Sequence, residues 1–303
     1  MKVSLSLLTR SVAVVVALTV ALAWTRVDAQ QAATRPMTFL DMQQMRQVGS
    51  PTPSPDGKWL LYTLSTPDWK EATRQTDLYL VSLQQGVSST RQLTFSKERN
   101  ETSPRWARDG SFFLFLSNRE APENASSRNQ LYQMRPDGGE ARRLTDAKEG
   151  VADFSFSRDG RWVVYRSGKT DEEQLYRLPI ATLDTAAADQ ITKHPTGVRS
   201  WQWAPDSKRI YFVTPDTVDA DEKARRDKKF TVNIRNPETP VASVWALEVD
   251  SQATKRLTEG GAFSVDDVRV SSDSKWRGFR GLSPDRYKRN ITSENIYGDL
   301  YLL

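Results

Sequence analysis

The chain has 303 residues, of which 38% are hydrophobic and 10% aromatic, and its 43 basic and 38 acidic side chains give a formal charge of +5. A charge so small for this length gives no case for nucleic-acid binding, and the low mean hydropathy argues against a body embedded in a membrane. One histidine and no cysteine leave no ligand set for zinc, and neither a disulfide nor a cofactor is expected.

Residues 1–29 are predicted to form a secretory signal peptide. Lys2 and Arg10 supply positive charge, residues 11–24 form an apolar stretch, and 27–29 offer a cleavage site. The apolar stretch is shorter than the roughly 20 residues that span a bilayer, which favours cleavage over a stable membrane anchor. Export without cysteine is typical of bacterial periplasmic proteins, so we expect an exported protein, periplasmic or secreted, from a bacterium.

Residues 30–47 are predicted to form a polar spacer and a short lead-in helix, and residues 48–303 carry a repeated motif. Each copy holds an Asp-Gly or Asp-Ser turn, an apolar strand, a strand with Leu-Tyr, and an outer strand that ends in Leu-Thr. The copies recur roughly every 50 residues, within the range of propeller-blade repeats. Their turn aspartates are Asp56, Asp109, Asp159 and Asp206.

The repeat predicts an all-β fold, a β-propeller of four-stranded antiparallel blades, with about four full blades and a partial fifth in an incomplete ring. Strands such as Trp162-Val163-Val164-Tyr165 are apolar on both faces, as expected between neighbouring sheets. A sandwich or a solenoid fits less well, because neither would repeat its turns and its aromatic positions in step. The predicted blades cover approximately 48–95, 102–146, 151–193, 198–259 and, in part, 263–303.

The fourth unit is longer than the others because of a charged insertion, 215–240. Within it, residues 219–229 are almost entirely charged, with both signs present. Such a segment is typical of a solvated helix or loop. The alternative is an arm that contacts another domain or subunit.

No catalytic residue is predicted in this chain. A serine nucleophile is expected in a Gly-x-Ser-x-Gly elbow, and that spacing does not occur. His194 is the only histidine and is interpreted as a surface turn residue. Glu172 and Glu173 precede a Leu-Tyr strand and are interpreted as a polar loop pair, not as a site for a substrate amine. Calcium loops alternate several oxygen ligands, whereas each turn here has one aspartate, so the turn aspartates are expected to cap hairpins.

Several segments resemble the N-terminal β-propeller of the prolyl oligopeptidase family of serine peptidases, and most closely its exported bacterial acylaminoacyl-peptidase and dipeptidyl-peptidase-like members. They are residues 54–59, 91–95, 103–106, 139–146 and 276–281. In that family the propeller covers the active site of a C-terminal α/β-hydrolase domain and admits only peptides and small substrates. The resemblance therefore implies two partners, that domain of the parent chain and peptide substrates.

The fifth predicted unit stops after its Leu-Tyr strand, so we expect a fragment of a longer protein, truncated before the catalytic domain. The expected function is that of a non-catalytic propeller portion that gates peptide access. One alternative is a stand-alone periplasmic propeller for protein–protein interaction, like those of the Tol system. Another is a carbohydrate- or ligand-binding propeller enzyme with its site at the central channel. The reading frame after Leu303 separates the first two hypotheses.

Overall fold

The computed structural model describes residues 35–122, 128–217, 220–228, 241–258, 263–282 and 298–303. The predicted signal peptide and much of the charged insertion lie outside these ranges. The chain divides into two units, residues 1–45 and 46–303. In the described ranges no helix is long and apolar enough to cross a membrane.

The described part of the first unit holds a short helix, α1 (Phe39–Gln43), inside the segment predicted to contain the lead-in helix. A capping box begins it: the Thr38 hydroxyl accepts a hydrogen bond from the backbone N–H of Asp41, and the Asp41 carboxylate accepts one from the N–H of Thr38. Arg35 forms an ion pair with the same carboxylate. The second helix, α2 (Ala220–Asp227), belongs to the second unit and lies in the predicted insertion.

The second unit contains 19 strands within the described ranges. In chain order they are β1 (Gln47–Pro53), β2 (Trp59–Asp68), β3 (Thr73–Ser82), β4 (Arg91–Gln92), β5 (Glu101–Trp106), β6 (Phe113–Ser117), β7 (Gln130–Arg135), β8 (Gly138–Arg143), β9 (Val151–Phe156), β10 (Trp162–Ser167), β11 (Gln174–Pro179), β12 (Asp189–Gln190), β13 (Ser200–Trp203), β14 (Arg209–Pro215), β15 (Ala242–Glu248), β16 (Thr254–Arg256), β17 (Ser264–Val270), β18 (Arg277–Leu282) and β19 (Gly298–Leu302).

These strands form five separate antiparallel sheets, and within each sheet the strands are hydrogen-bonded in the order of the chain. Four sheets have four strands each, β1–β4, β5–β8, β9–β12 and β13–β16, and β17–β19 form a three-stranded sheet. Each sheet is one blade. The predicted fold class, an all-β propeller of four-stranded blades with a partial fifth, is confirmed.

A stacked pair of aromatic rings occupies the same place in every blade, directly across the second and third strands. In the first blade, Tyr62 lies opposite Tyr79 and their ring centroids are 5.7 Å apart. Stacked rings add about 0.5–1.5 kcal/mol beyond the burial of their area. The other four pairs are Phe115 with Tyr132, Tyr165 with Tyr176, Phe212 with Trp245, and Phe279 with Tyr301.

The apolar core lies between successive blades. Leu78 and Leu80 of the first blade pack with Phe115 and Tyr132 of the second, and all four are at most 1% exposed. Three further clusters fill the next three spaces along the chain. Middle strands therefore need apolar side chains on both faces, and all five residues of β6 are buried.

Asp-Gly turns in the first three blades and Asp-Ser turns in the last two join the first and second strands. In the first blade the Ser54 hydroxyl donates to Asp56 Oδ1 at 2.6 Å and accepts from the backbone N–H of Trp59, while Asp56 Oδ1 also accepts from the N–H of Lys58. Gly57 has a φ of +69°, where a Cβ is unfavourable. The serine two residues before the aspartate makes the same bond in the third and fifth blades, whereas the second and fourth blades have alanine at this position.

The Leu-Thr dipeptide was expected to end the outer strand, but each outer strand ends before it. β4 ends at Gln92, and Thr94 then turns its hydroxyl inward to accept a hydrogen bond from the backbone N–H of Leu78 at 2.9 Å. The threonine oxygen thus replaces the strand carbonyl that would otherwise pair with this buried N–H. The same bond is made by Thr145 to Leu131, Thr192 to Leu175 and Thr258 to Val244.

Candidate functional site

Polar side chains collect at one end of the blades, where the first and third strands begin and the second strand ends. We call this the strand-start end. Two groups lie there. The acidic cluster consists of Asp77, Glu101 and Arg119 and joins the first two blades, and the histidine cluster consists of His194, Thr196 and Thr214.

Glu101 is the most deeply buried carboxylate of the acidic cluster, with 0% of its surface exposed. Its Oε1 accepts hydrogen bonds from the Ser117 hydroxyl at 3.0 Å and from the Arg119 guanidinium at 3.1 Å, while Oε2 is buried without a hydrogen-bond partner. Burial raises the pKa of Glu101, and the charge of Arg119 opposes that shift. The free Oε2 can hold a proton or accept a hydrogen bond from a bound group.

Asp77 supplies the second carboxylate of this cluster. Its Oδ2 accepts a hydrogen bond from Gln75 at 3.1 Å, and its Oδ1 lies 3.4 Å from the Thr94 hydroxyl. Burial also raises the pKa of Asp77, and its hydrogen bonds with Gln75 and Thr94 oppose that shift. Burial thus raises the pKa of both carboxyls of the cluster, which favours their protonated forms.

The aromatic pair of the second blade holds Arg119 in place. Its guanidinium carbon lies 5.4 Å from the ring centre of Phe115 and 5.0 Å from that of Tyr132. The Tyr132 hydroxyl is buried without a hydrogen-bond partner, and burial raises its pKa to about 12. The stacked pair that packs the blade therefore also positions the cation of the acidic cluster.

His194 is half-buried, whereas the sequence interpretation placed it on the surface. Its Nδ1 lies 2.9 Å from the Thr196 hydroxyl and 3.2 Å from that of Thr214, and its ring meets Trp245 edge-on. Burial lowers the pKa of His194, which favours the neutral ring at pH 7. Thr214 also donates to the carbonyl of Gly197 at 3.0 Å. These contacts fix the ring of His194 against the fourth blade.

An open cleft of about 450 Å³ lies between the second and third blades. The loop after β8, residues 144–149, forms one wall, and the stacked rings of Tyr165 and Tyr176 form another. Residues 186–188 close the outer side. Burial raises the pKa of Tyr165 to about 12, so its hydroxyl stays protonated at neutral pH. The cleft can admit a small molecule.

The Gln174 side-chain amide donates to the backbone carbonyls of both Glu172, at 3.4 Å, and His194, at 3.0 Å, so these residues meet through backbone atoms. Glu172 is exposed, and Glu173, which is half-buried, uses its carbonyl to accept the backbone N–H of Val198. Sequence reasoning missed Glu101 and Arg119 as a pair. The signal in the sequence was Glu101 itself, because it is the first residue of β5, and the repeat places that strand inside the propeller.

Comparison with known proteins finds relatives that are named peptidases. No family model matches it. It is 30% identical to dipeptidyl-peptidase 5 of Porphyromonas endodontalis over 49% of this chain and 20% of the relative. It is 27% identical to the uncharacterized peptidase YuxL of Bacillus subtilis over 57% of this chain and 24% of the relative. The predicted resemblance is confirmed. The chain spans about a fifth to a quarter of the length of these curated homologues.

Solved structures agree on the fold. The β-propeller domain of the Trilobed protease from Pyrococcus furiosus aligns with a TM-score of 0.53 and 11% identity, over 86% of this chain and 69% of that one. A protein described as a dipeptidyl aminopeptidase IV from Bacteroides ovatus aligns with a TM-score of 0.57 and 12% identity, over 85% of this chain and 42% of that one. At such identities these likenesses support the propeller fold alone.

Proposed function

We propose that this chain is the non-catalytic propeller portion of an exported serine peptidase of the prolyl oligopeptidase family, and that it gates the access of peptides to an α/β-hydrolase domain. The observation that carries the proposal is homology to two relatives named peptidases over the blades. Residues 1–29 support export, because they have the features of a cleaved signal peptide.

The chemistry of the described residues supports a non-catalytic role. A serine peptidase needs a histidine base beside its serine. The hydrogen bonds of the His194 ring in the described ranges go to two threonines, and its lowered pKa weakens it as a base. Hydrolysis would then depend on residues outside this chain.

Gating requires an opening of fixed width. Hydrogen bonds between the first strands of neighbouring blades can hold that width. The Trp106 indole N–H donates to the carbonyl of Thr52 in the blade before it at 3.0 Å. The Trp201 indole N–H donates to Asp153 Oδ1 of its preceding blade at 2.7 Å. Gln202 Oε1 accepts the backbone N–H of Val270 in the following blade at 2.9 Å. These bonds restrain the spacing of neighbouring blades, which favours exclusion of large substrates.

The experiment that tests the proposal begins with the reading frame after Leu303. We expect it to encode a Gly-x-Ser-x-Gly elbow followed by an aspartate and a histidine. The encoded protein should hydrolyse chromogenic dipeptides and leave folded proteins intact. A stop codon after further blades with no elbow would contradict the proposal and favour the stand-alone binding propeller.

The gating step has its own test in the parent protein. Asp153→Ala removes the tie to Trp201, so cleavage of long peptides should rise severalfold while turnover of a chromogenic dipeptide stays constant. Lys255→Ala, on the exposed face of β16, is the matched control and should change neither. Equal effects of Asp153→Ala on short and long substrates would contradict size selection by the propeller.

A further inference from the structure

The aromatic pair of the second blade shows which chemical group its rings accept. The Arg119 guanidinium carbon lies 5.4 Å from the ring centre of Phe115 and 5.0 Å from that of Tyr132. The same guanidinium donates through Nε to the Ser117 hydroxyl at 3.2 Å and through Nη2 to Glu101 Oε1 at 3.1 Å. Two rings, a hydroxyl and a carboxylate thus surround one guanidinium, and such groups favour a planar cation.

The third blade repeats the rings and the hydroxyl. Tyr165 and Tyr176 lie directly opposite each other at the register of the second blade's pair, with their ring centroids 5.4 Å apart. Ser167 stands two residues after the first ring, as the corresponding serine of the second blade does. Its hydroxyl donates to the carbonyl of Gly150 at 2.6 Å, so its oxygen can still accept a hydrogen bond.

The cation does not recur in the third blade. The residue that corresponds to Arg119 is Lys169, and its side chain is exposed. Within the described ranges, no arginine or lysine lies over the ring of Tyr165 or Tyr176. Both rings and Ser167 instead line the open cleft of about 450 Å³ between the second and third blades. The third blade therefore has an open space where the second blade holds a guanidinium.

Carboxylates of the cleft supply charge of the sign that a cation needs. Glu149 and Asp146 both line it. Glu149 pairs with Arg128 through Oε2 at 3.3 Å, and Asp146 pairs with Arg143 through Oδ1. Each carboxylate thus has a second oxygen that can accept a hydrogen bond from a ligand. Lys148 lines the same cleft, and its charge works against a bound cation.

We propose that this cleft binds the guanidinium of an arginine side chain that belongs to a peptide. Tyr165 and Tyr176 contact the planar group, as the rings of the second blade contact Arg119. Ser167 accepts a hydrogen bond from it, and Glu149 supplies the opposite charge. Because the cleft is open, the side chain can enter while the peptide backbone stays outside. The inference rests on the equivalence of two blades and goes beyond the gating role.

Isothermal titration calorimetry of the full chain with Nα-acetyl-arginine amide measures the binding. We expect a dissociation constant of about 1 mM or lower, which is in the range for a ligand of this size. Nα-acetyl-citrulline amide has the same shape but no charge, and it should bind at least about tenfold more weakly. Free arginine should bind no more tightly than the blocked derivative, because the backbone groups stay outside the cleft.

Substitutions of one ring locate the site. Tyr176→Leu removes a ring and should weaken binding about fivefold or more, whereas Tyr176→Phe keeps a ring and should bind like the wild type. Tyr79→Leu is the matched control, because Tyr79 is the half-buried third-strand ring of the first blade and does not line the cleft. It should bind like the wild type, and circular dichroism checks that each variant is folded.

A surface substitution gives a test that does not disturb the aromatic pair. Lys148→Met removes the opposing charge at an exposed position and should tighten binding about twofold or more. Three results would overturn the proposal: no binding of the arginine derivative, equal binding of the citrulline derivative, or unchanged binding by both Tyr176→Leu and Lys148→Met. Free arginine that binds where the blocked derivative does not would contradict a peptide side chain as the ligand.

Discussion

The hydroxyl of Thr94 takes the place of a strand carbonyl by accepting the backbone N–H of Leu78 at 2.9 Å, with both residues buried. The same bond recurs in the next three blades. This position requires a small side chain with an acceptor oxygen. That requirement explains why threonine follows the apolar residue in these four copies. The Leu-Thr motif is thus a device for ending the outer strand without leaving a buried donor unpaired.

Replacement of this hydroxyl should be costly. Thr94→Val keeps the shape of the side chain but leaves the Leu78 N–H without its acceptor, so the free energy of unfolding should fall by about 1–3 kcal/mol. Urea unfolding followed by circular dichroism measures this. Thr254→Val, at an exposed position of β16, is the control and should be neutral. Equal stabilities of the two variants would refute the assigned role of Thr94.

The turn between the first and second strands allows an opposite prediction. Ser274 of the fifth blade has a φ of +61°, so Ser274→Gly should relieve strain and raise the free energy of unfolding by about 0.5 kcal/mol. Ser207 has a φ of +59°, but its hydroxyl accepts the backbone N–H of Asp159 in the neighbouring blade. Ser207→Gly should therefore destabilise the chain. Chemical unfolding of both variants tests the difference, and the same sign for both would contradict it.

The acidic cluster predicts a dependence of stability on pH. Burial raises the pKa of Glu101 in the folded chain, so the folded state binds a proton more tightly than the unfolded state does. The resulting stability is fully present below the unfolded pKa of about 4.3 and is lost as the pH rises through the folded pKa. The raised pKa of Asp77 acts in the same direction.

Glu101→Gln removes this titration because the amide stays neutral. The loss of unfolding free energy as the pH rises above the unfolded pKa of about 4.3 should be smaller in Glu101→Gln than in the wild type. Glu120→Gln, which changes a more exposed carboxylate nearby, should retain the wild-type profile. Parallel profiles for the wild type and Glu101→Gln would show that Glu101 does not hold its proton in this range.

Packing between blades should dominate stability. Phe115 is 0% exposed and lies between the first two blades, so Phe115→Ala should lower the free energy of unfolding by about 3–5 kcal/mol. Tyr62→Ala changes the equivalent ring of the first blade, which is half-buried, and should cost less than half as much. Thermal unfolding of the two variants compares them, and an equal loss would argue against the inter-blade core.

The sequence predicted the fold because the blade motif is local and repeated. The turn from Ser54 to Asp56 and a strand such as β6 are each determined by a few consecutive residues. Because the motif recurs in five copies, the pattern can be recognised in the sequence. The acidic cluster could not be predicted in the same way. Asp77 and Glu101 are 24 positions apart, and only the packing of one blade on the next brings them together. The partial burial of His194 has the same origin, because it depends on Thr214 and Trp245 of the following blade.

Labelling by a fluorophosphonate, which reacts with activated serines, tests the central claim most directly. The account predicts no labelling of the 303-residue chain, because its role is to gate and not to hydrolyse, and strong labelling of the longer protein encoded by the extended reading frame. If the folded 303-residue chain is labelled, and heat denaturation abolishes that labelling, the account is contradicted.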